Sequence, residues 1–163
     1  MINLKSAHAI LTSNLLPSPY QGFVRTNSMF VVNRDDRIDY VAADPALLNE
    51  ELTKLFGDIE TLLAEDLSNA EIPFFASNIH LTFVKIHPFQ DGKGRSSRLL
   101  EKWFLIDKLG VKATDIHLEK NYYLNLQDYY RNLKRLGVDY EIIDYDIAFE
   151  FLIMTANGLL IQK

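Results

Sequence analysis

Residues 87–98 read His87-Pro88-Phe89-Gln90-Asp91-Gly92-Lys93-Gly94-Arg95-Ser96-Ser97-Arg98, and apolar residues at helical spacing lie on both sides. No other stretch constrains the fold as much, because a proline and two glycines interrupt what would otherwise be one long helical pattern. Pro88 disfavours the α region for His87, so the preceding helix is expected to end there. Gly92 and Gly94 allow a tight loop. A second helix should start near Arg95 and run through Leu99, Leu100, Trp103, Phe104 and Leu109, with Gly110 at its C-terminal end. The loop therefore stands at a helix N-terminus, whose free N–H groups suit an anion.

The charges in the loop point the same way. A helix N-terminus carries partial positive charge and prefers carboxylates, yet Lys93, Arg95 and Arg98 crowd into this one. Their compensation is either acidic side chains, Glu101 among them, or a polyphosphate. With a polyphosphate in the loop, Asp91 is a hard oxygen ligand suited to Mg²⁺ shared with phosphate groups. His87, whose ordinary pKa is about 6.5, can then take a proton from an attacking hydroxyl. The plainer roles are a helix-end histidine bonded to a carbonyl and a turn-forming aspartate. A transition-metal site on His87 and Asp91 lacks further ligands. A P-loop is excluded, because Lys93 is followed by Gly94 instead of Ser or Thr.

The loop resembles the signature of the Fic family, His-x-Phe-x-Asp/Glu-Gly-Asn-Gly-Arg-x-x-Arg, and departs from it at one named position, where Lys93 stands in place of Asn. Ile79-His80 and Ile86 before the loop, and Leu99-Leu100 after it, fit the flanking helices of that family. Residues 22–45 resemble its flap. The likeness covers about residues 20–135. It implies a mainly α fold, a Fic-like helical bundle with one β-hairpin flap at about residues 23–42, and transfer of AMP from ATP to a Ser, Thr or Tyr hydroxyl of another protein.

On that likeness His87 is the general base and Asp91 binds the Mg²⁺. The backbone amides of Gly92, Lys93 and Gly94 cradle the phosphates, Arg95 and Arg98 hold the outer ones, and Phe89 anchors the loop. Lys93 either adds a phosphate contact or pushes on Arg95. Doc-like kinases carry Ala-Asn-Lys-Arg here, where this chain has Gly-Lys-Gly-Arg, so phosphorylation is not favoured. The alternative from another class is a catalytically degenerate regulator that binds a nucleotide or peptide with the same fold. Many relatives are restrained by a helix bearing Ser/Thr-x-x-x-Glu-Gly/Asn, whose glutamate pairs with the arginine corresponding to Arg98. Neither the Ser6 region nor the Thr155 region has the glutamate. A separate inhibitory, antitoxin-like protein, or a chain without this brake, is expected.

Composition bounds the rest. The 163 residues suit a single domain spanning residues 1–163. A net charge of −5 argues against nucleic acid as a partner. No apolar run is long enough for a membrane span, and cysteine is absent. A cytoplasmic location is the expectation.

Elsewhere, Leu4, Ala7, His8 and Leu11 give a short first helix, with His8 a core or surface residue of it. Residues 29–41 read as strand, polar turn and strand. Two strands alone are barely stable, so this hairpin must pack on helices, and its outer edge can accept an extended target segment. Asp44-Pro45 starts a long helix to about Asp66. Pro73 starts the next, with Phe75, Ile79, Phe83 and Ile86 inward; His80 lies two turns before His87 and suits a supporting hydrogen bond. Residues 111–120 look irregular. Tyr122 to Leu136 should form one helix ended by Gly137, its tyrosines core, interface or a cover for adenine. Residues 147–160 should be a buried closing helix, with a homodimer contact as a second use.

Overall fold

Helix α3, Glu71–Ile86, forms the centre of the computed structural model, which describes residues 2–159. It is buried on nearly every side, by Ile72, Ala76, Ile79, Leu81, Phe83 and Ile86 among others, and a helix apolar all round belongs in a core. Around it stand α1 (Ile2–Thr12), α2 (Leu48–Ala64), α4 (Lys93–Leu109), α5 (Leu118–Leu124), α6 (Leu126–Arg135) and α7 (Phe149–Leu159). Helices α4, α7 and α2 pack directly on α3. One contiguous apolar core joins Leu48, Leu52, Leu55 and Ile59 of α2 to Leu100, Phe104 and Leu105 of α4 and Phe151 of α7. No helix among the described residues is long and apolar enough to cross a membrane.

The expected hairpin is present. Strands β1, Phe30–Val32, and β2, Ile38–Val41, pair antiparallel with Phe30 opposite Val41 and Val31 opposite Tyr40. Asn33 organises the turn, its Oδ1 accepting from the N–H groups of Asp35 and Arg37 at 2.9 and 3.1 Å. Tyr40 points inward and donates its hydroxyl to the Lys85 carbonyl at 2.7 Å, near the end of α3. The far side of β2 is closed by the Val41 N–H donating to Val138 O at 2.7 Å. Among the described residues β1 has no strand on its outer edge.

Several helix boundaries differ from expectation, each for a local reason. Helix α3 begins at Glu71, before Pro73, because Ser68 and Glu71 exchange hydrogen bonds as a capping box (Ser68 N–H to Glu71 Oε2, 2.8 Å; Glu71 N–H to Ser68 Oγ, 3.3 Å). Pro73 falls in the first turn, where no N–H is needed. Helix α4 begins at Lys93, two residues before Arg95, since the Gly92 carbonyl accepts from both Arg95 and Ser96. Residues 111–120 are not irregular throughout: a 3-10 turn over Gly110–Asp115 leads into α5. The single helix expected from Tyr122 to Leu136 is broken at Asn125, whose Nδ2 donates back to the Asn121 carbonyl at 2.9 Å, a local bond that competes with helix continuation. Helix α7 begins at Phe149 because Asp144 caps a separate 3-10 turn, Tyr145–Ile147. Leu160 lies outside the described residues.

Candidate active site

Helix α3 delivers His87 into the loop in an unusual way. Its backbone adopts the left-handed conformation (φ 52°, ψ 61°) instead of the extended one that Pro88 favours. For a non-glycine residue this costs about 1–2 kcal/mol, so something must hold it. Arg25 does. The Arg25 N–H donates to Pro88 O at 2.9 Å, its Nε to His87 O at 2.7 Å and its Nη2 to Ile86 O at 3.4 Å, so three consecutive carbonyls turn toward one residue. The guanidinium also caps the negative end of α3. It is 5% exposed, and burial lowers its pKa, with Asp44 acting in the opposite direction.

The loop is held from its other side by α1. His8 is fully buried and stacks on Phe89 with ring centroids 3.8 Å apart. Its Nδ1 accepts from the Gly22 N–H at 2.9 Å, which makes Nε2 the protonated nitrogen, and Nε2 donates to the Asp91 carbonyl at 2.9 Å. Gly92 sits against this clamp with φ +79°, and a Cβ there would lie 2.7 Å from Thr12 Cγ2 and 3.1 Å from His8 Nε2. Phe89 is wholly buried, as its expected anchoring role requires.

The predicted site residues gather at the start of α4. The Asp91 carboxylate accepts from the Gly92 N–H through Oδ1 at 2.5 Å, and Oδ2 faces Arg95 Nη2 at 3.9 Å. Among the described residues the N–H groups of Lys93 and Gly94 have no acceptor. Arg98 folds back over this turn, its Nη1 3.3 Å from where a Gly94 Cβ would be, and no carboxylate among the described residues pairs with it. His87 is only 5% exposed, and its Nδ1 faces Lys93 Nζ at 3.3 Å. Burial first, then the Lys93 ammonium and then Arg25, push the imidazole down to about 3. Burial likewise lowers the Lys93 ammonium to about 8, against the pull of Asp91.

A group of three or more metal-binding side chains does not occur among the described residues. Asp91 as a lone carboxylate beside free N–H groups suits a cation that arrives with phosphates, such as Mg²⁺, and does not suit a resident transition metal. A cavity of about 170 Å³ lies under the hairpin, lined by Met29, Phe30, Val41 and Asp139 among others; one of about 440 Å³ lies between α5, α6 and α7. Neither includes a residue of the 87–98 loop.

His80 has the supporting hydrogen bonds its position suggested, but away from the loop. Its Nδ1 bonds Glu101 Oε2 at 2.6 Å and its Nε2 the Tyr129 hydroxyl at 3.1 Å, all buried. Tyr122 and Thr155 also donate to Glu101, which ties α4 to α5 and α7. The expected tyrosine stripe divides: Tyr122 and Tyr129 are core, whereas Tyr123 and Tyr130 are exposed. The histidine that does brace the loop is His8, whose only trace in the sequence is its place on the apolar stripe of α1. Arg25 left no trace at all, because its partners are carbonyls brought from residues 27, 43 and 86–88 by the fold.

Residues 3–105 match the sequence model of the Fic/DOC family, well over half of the chain, and the chain belongs to that family. The fold agrees. A Fic family protein from Desulfovibrio desulfuricans G20, known from a crystal structure, superposes with a TM-score of 0.73 at 21% sequence identity, over 98% of this chain. This chain spans 45% of the length of that protein.

Proposed function

We propose that the protein transfers AMP from ATP to a Ser, Thr or Tyr hydroxyl of a target protein, the reaction general to its family. The observation that carries this is the turn at residues 92–94, where two N–H groups without an acceptor among the described residues meet Lys93, Arg95 and Arg98 beside one carboxylate and one imidazole. Such chemistry is mostly positioning and stabilisation of phosphate charge. The amides of Lys93 and Gly94 bind the phosphates, the Gly92 N–H being held by Asp91 Oδ1; Arg95 and Arg98 hold the outer ones, and Asp91 would hold Mg²⁺, which when bound with the nucleotide neutralises phosphate charge. The target oxygen attacks the α-phosphorus, its proton passes to His87, the bond to the β-phosphate oxygen breaks and pyrophosphate leaves.

His87 as it stands is neutral but a weak base, since burial first, and then Lys93 and Arg25, oppose a second proton. A polyphosphate brings negative charge beside those cations, which favours the protonated imidazole and strengthens the base only when nucleotide is present. The target segment is placed along the open outer edge of β1 by strand addition. Restraint by a separate inhibitory protein fits an Arg98 that has no carboxylate partner among the described residues.

One observation favours the second reading, a regulator that binds without reacting: His87 is covered and its Nδ1 is engaged by Lys93. The two separate cleanly. Protein incubated with α-labelled ATP and Mg²⁺ should place AMP on a protein, seen by mass spectrometry, and His87→Ala should abolish it while still binding Mg-ATP. Tight Mg-ATP binding with no label from either form would instead mean a regulator.

A further inference from the structure

Arg25 does more than cap α3. Besides the carbonyls of residues 86–88, its Nη1 donates to Asn27 O at 2.7 Å and its Nη2 to Ala43 O at 2.6 Å. Asn27 lies just before β1 and Ala43 just after β2, so these are the two feet of the hairpin. One buried side chain therefore gathers both ends of the hairpin and the left-handed turn that aims His87. Four guanidinium hydrogen bonds and one backbone bond all end on carbonyls, with no carboxylate in the set. A guanidinium offers five N–H donors in a fixed planar fork, a geometry that an ammonium cannot reproduce.

We propose that Arg25 is a positioning residue that registers the hairpin against His87, so that a peptide held on β1 presents its hydroxyl at a fixed distance from the imidazole. This rests on the transferase reading for its use and on geometry alone for its existence. If the hairpin and His87 are one rigid node, loosening Arg25 loosens both together, although they are far apart in sequence. It also separates target alignment from nucleotide binding, because Arg25 touches neither the amides of residues 92–94 nor Arg95 and Arg98.

The test compares the wild type with Arg25→Lys, which keeps the charge, and Arg25→Met, which removes it. Amide exchange is followed at Ala42 N–H (bonded to Met29 O) and at His87 N–H (bonded to Phe83 O), with α2 amides as the internal standard for global stability. In Arg25→Lys both reporter amides should exchange about tenfold faster together, with α2 unchanged. Label transfer at saturating Mg-ATP should fall between about tenfold and a hundredfold, as a misplacement of about an ångström costs, while Mg-ATP affinity stays within about threefold. Acceleration at only one reporter overturns the proposal, as does a uniform rise that includes α2. Equal losses of affinity and transfer do so too. If the wild type itself transfers no label, the transferase reading fails, but paired exchange still decides whether Arg25 joins the hairpin to His87. Should Arg25→Met fail to fold, Arg25→Lys alone carries the decision.

Discussion

The most direct perturbation of the site is Lys93→Asn, because the ammonium is the charge nearest the imidazole. His87 is held at about 3, against an ordinary value of 6.5. That difference, roughly 3.5 pKa units, corresponds to about 5 kcal/mol. Burial is the largest cause, so Lys93, the second, accounts for less than half, under about 1.7 units. Coulomb's law gives a similar range: a unit charge about 4 Å away is worth about 1 kcal/mol in water and about 4 at an effective dielectric of 20. The smaller end fits the limit set by burial. Lys93→Asn should therefore raise the His87 pKa by about one unit and leave it well below about 6.5. Lys93 stays charged across the whole range in which His87 titrates, since its own value is about 8. The sign for stability follows from the unfolded chain, where the imidazole protonates first. The contribution of His87 to stability is complete above about pH 6.5 and is lost as the pH falls toward about 3; the variant should lose about 1.4 kcal/mol less of it over that fall. Ring-nitrogen NMR titration, with His87→Gln to assign the signal, reads the pKa, and urea unfolding at several pH values reads the linkage. An identical His87 titration in both proteins would refute the role given to Lys93. A variant titrating near 6.5 would refute the leading role of burial.

Two further substitutions probe the supports of the loop. Gly92→Ala forces a side chain into a left-handed position with Thr12 Cγ2 2.7 Å away, so it should cost at least about 1–2 kcal/mol in denaturant unfolding; an unchanged midpoint would mean that α1 does not clamp the loop. Glu101→Gln replaces an acceptor of bonds from His80, Tyr122 and Thr155 with a group that is half donor. It should destabilise by about 1–3 kcal/mol, as leaving a buried donor without its acceptor does, and an unchanged unfolding midpoint would show the network to be replaceable.

What the sequence made legible was local or periodic. The end of α3 at His87, the turn at Gly92 and the hairpin around Asn33 follow from proline, glycine and asparagine chemistry acting within a few residues. The gathering of Asp91, Lys93, Arg95 and Arg98 on one helix start follows from their adjacency. The breaks were less legible where a side chain competes with its own backbone, as Asn125 does with the Asn121 carbonyl, or where a capping box moves a start, as Ser68 and Glu71 do. Least legible were His8 and Arg25. Both act on main-chain groups distant in sequence, and a carbonyl carries no residue-type signal. His80 illustrates the same limit from the other side: its spacing promised a supporting bond, but only packing decides that the partner is Glu101.

Burial disfavours charge of either sign around the loop: it lowers the cations, and it raises Tyr40, whose ring lies 4.2 Å from Lys85 Nζ. Burial lowers Lys85 and Lys93 to about 8 and His87 to about 3, and in both Lys85 and His87 the next cause is the Lys93 charge. Arg25 is lowered as well. The chain as a whole carries −5, so this resistance to positive charge is local and was not needed to balance the protein. Asp91 answers it only in part, at 3.9 Å from Arg95 with both side chains partly in solvent, where an ion pair is worth less than about 1 kcal/mol. Of these groups only Lys93, together with Arg95 and Arg98, stands at the N-terminus of α4, where positive charge costs stability; Lys85, His87 and Arg25 stand at the C-terminal end of α3. On the proposed function a polyanion at this turn relieves Lys93, Arg95 and Arg98, and that relief appears as affinity and as ligand-dependent stabilisation. A neutral peptide or an apolar ligand at the same turn would recover none of it, so the charge pattern of the loop, more than its shape, is what supports the proposed phosphate ligand.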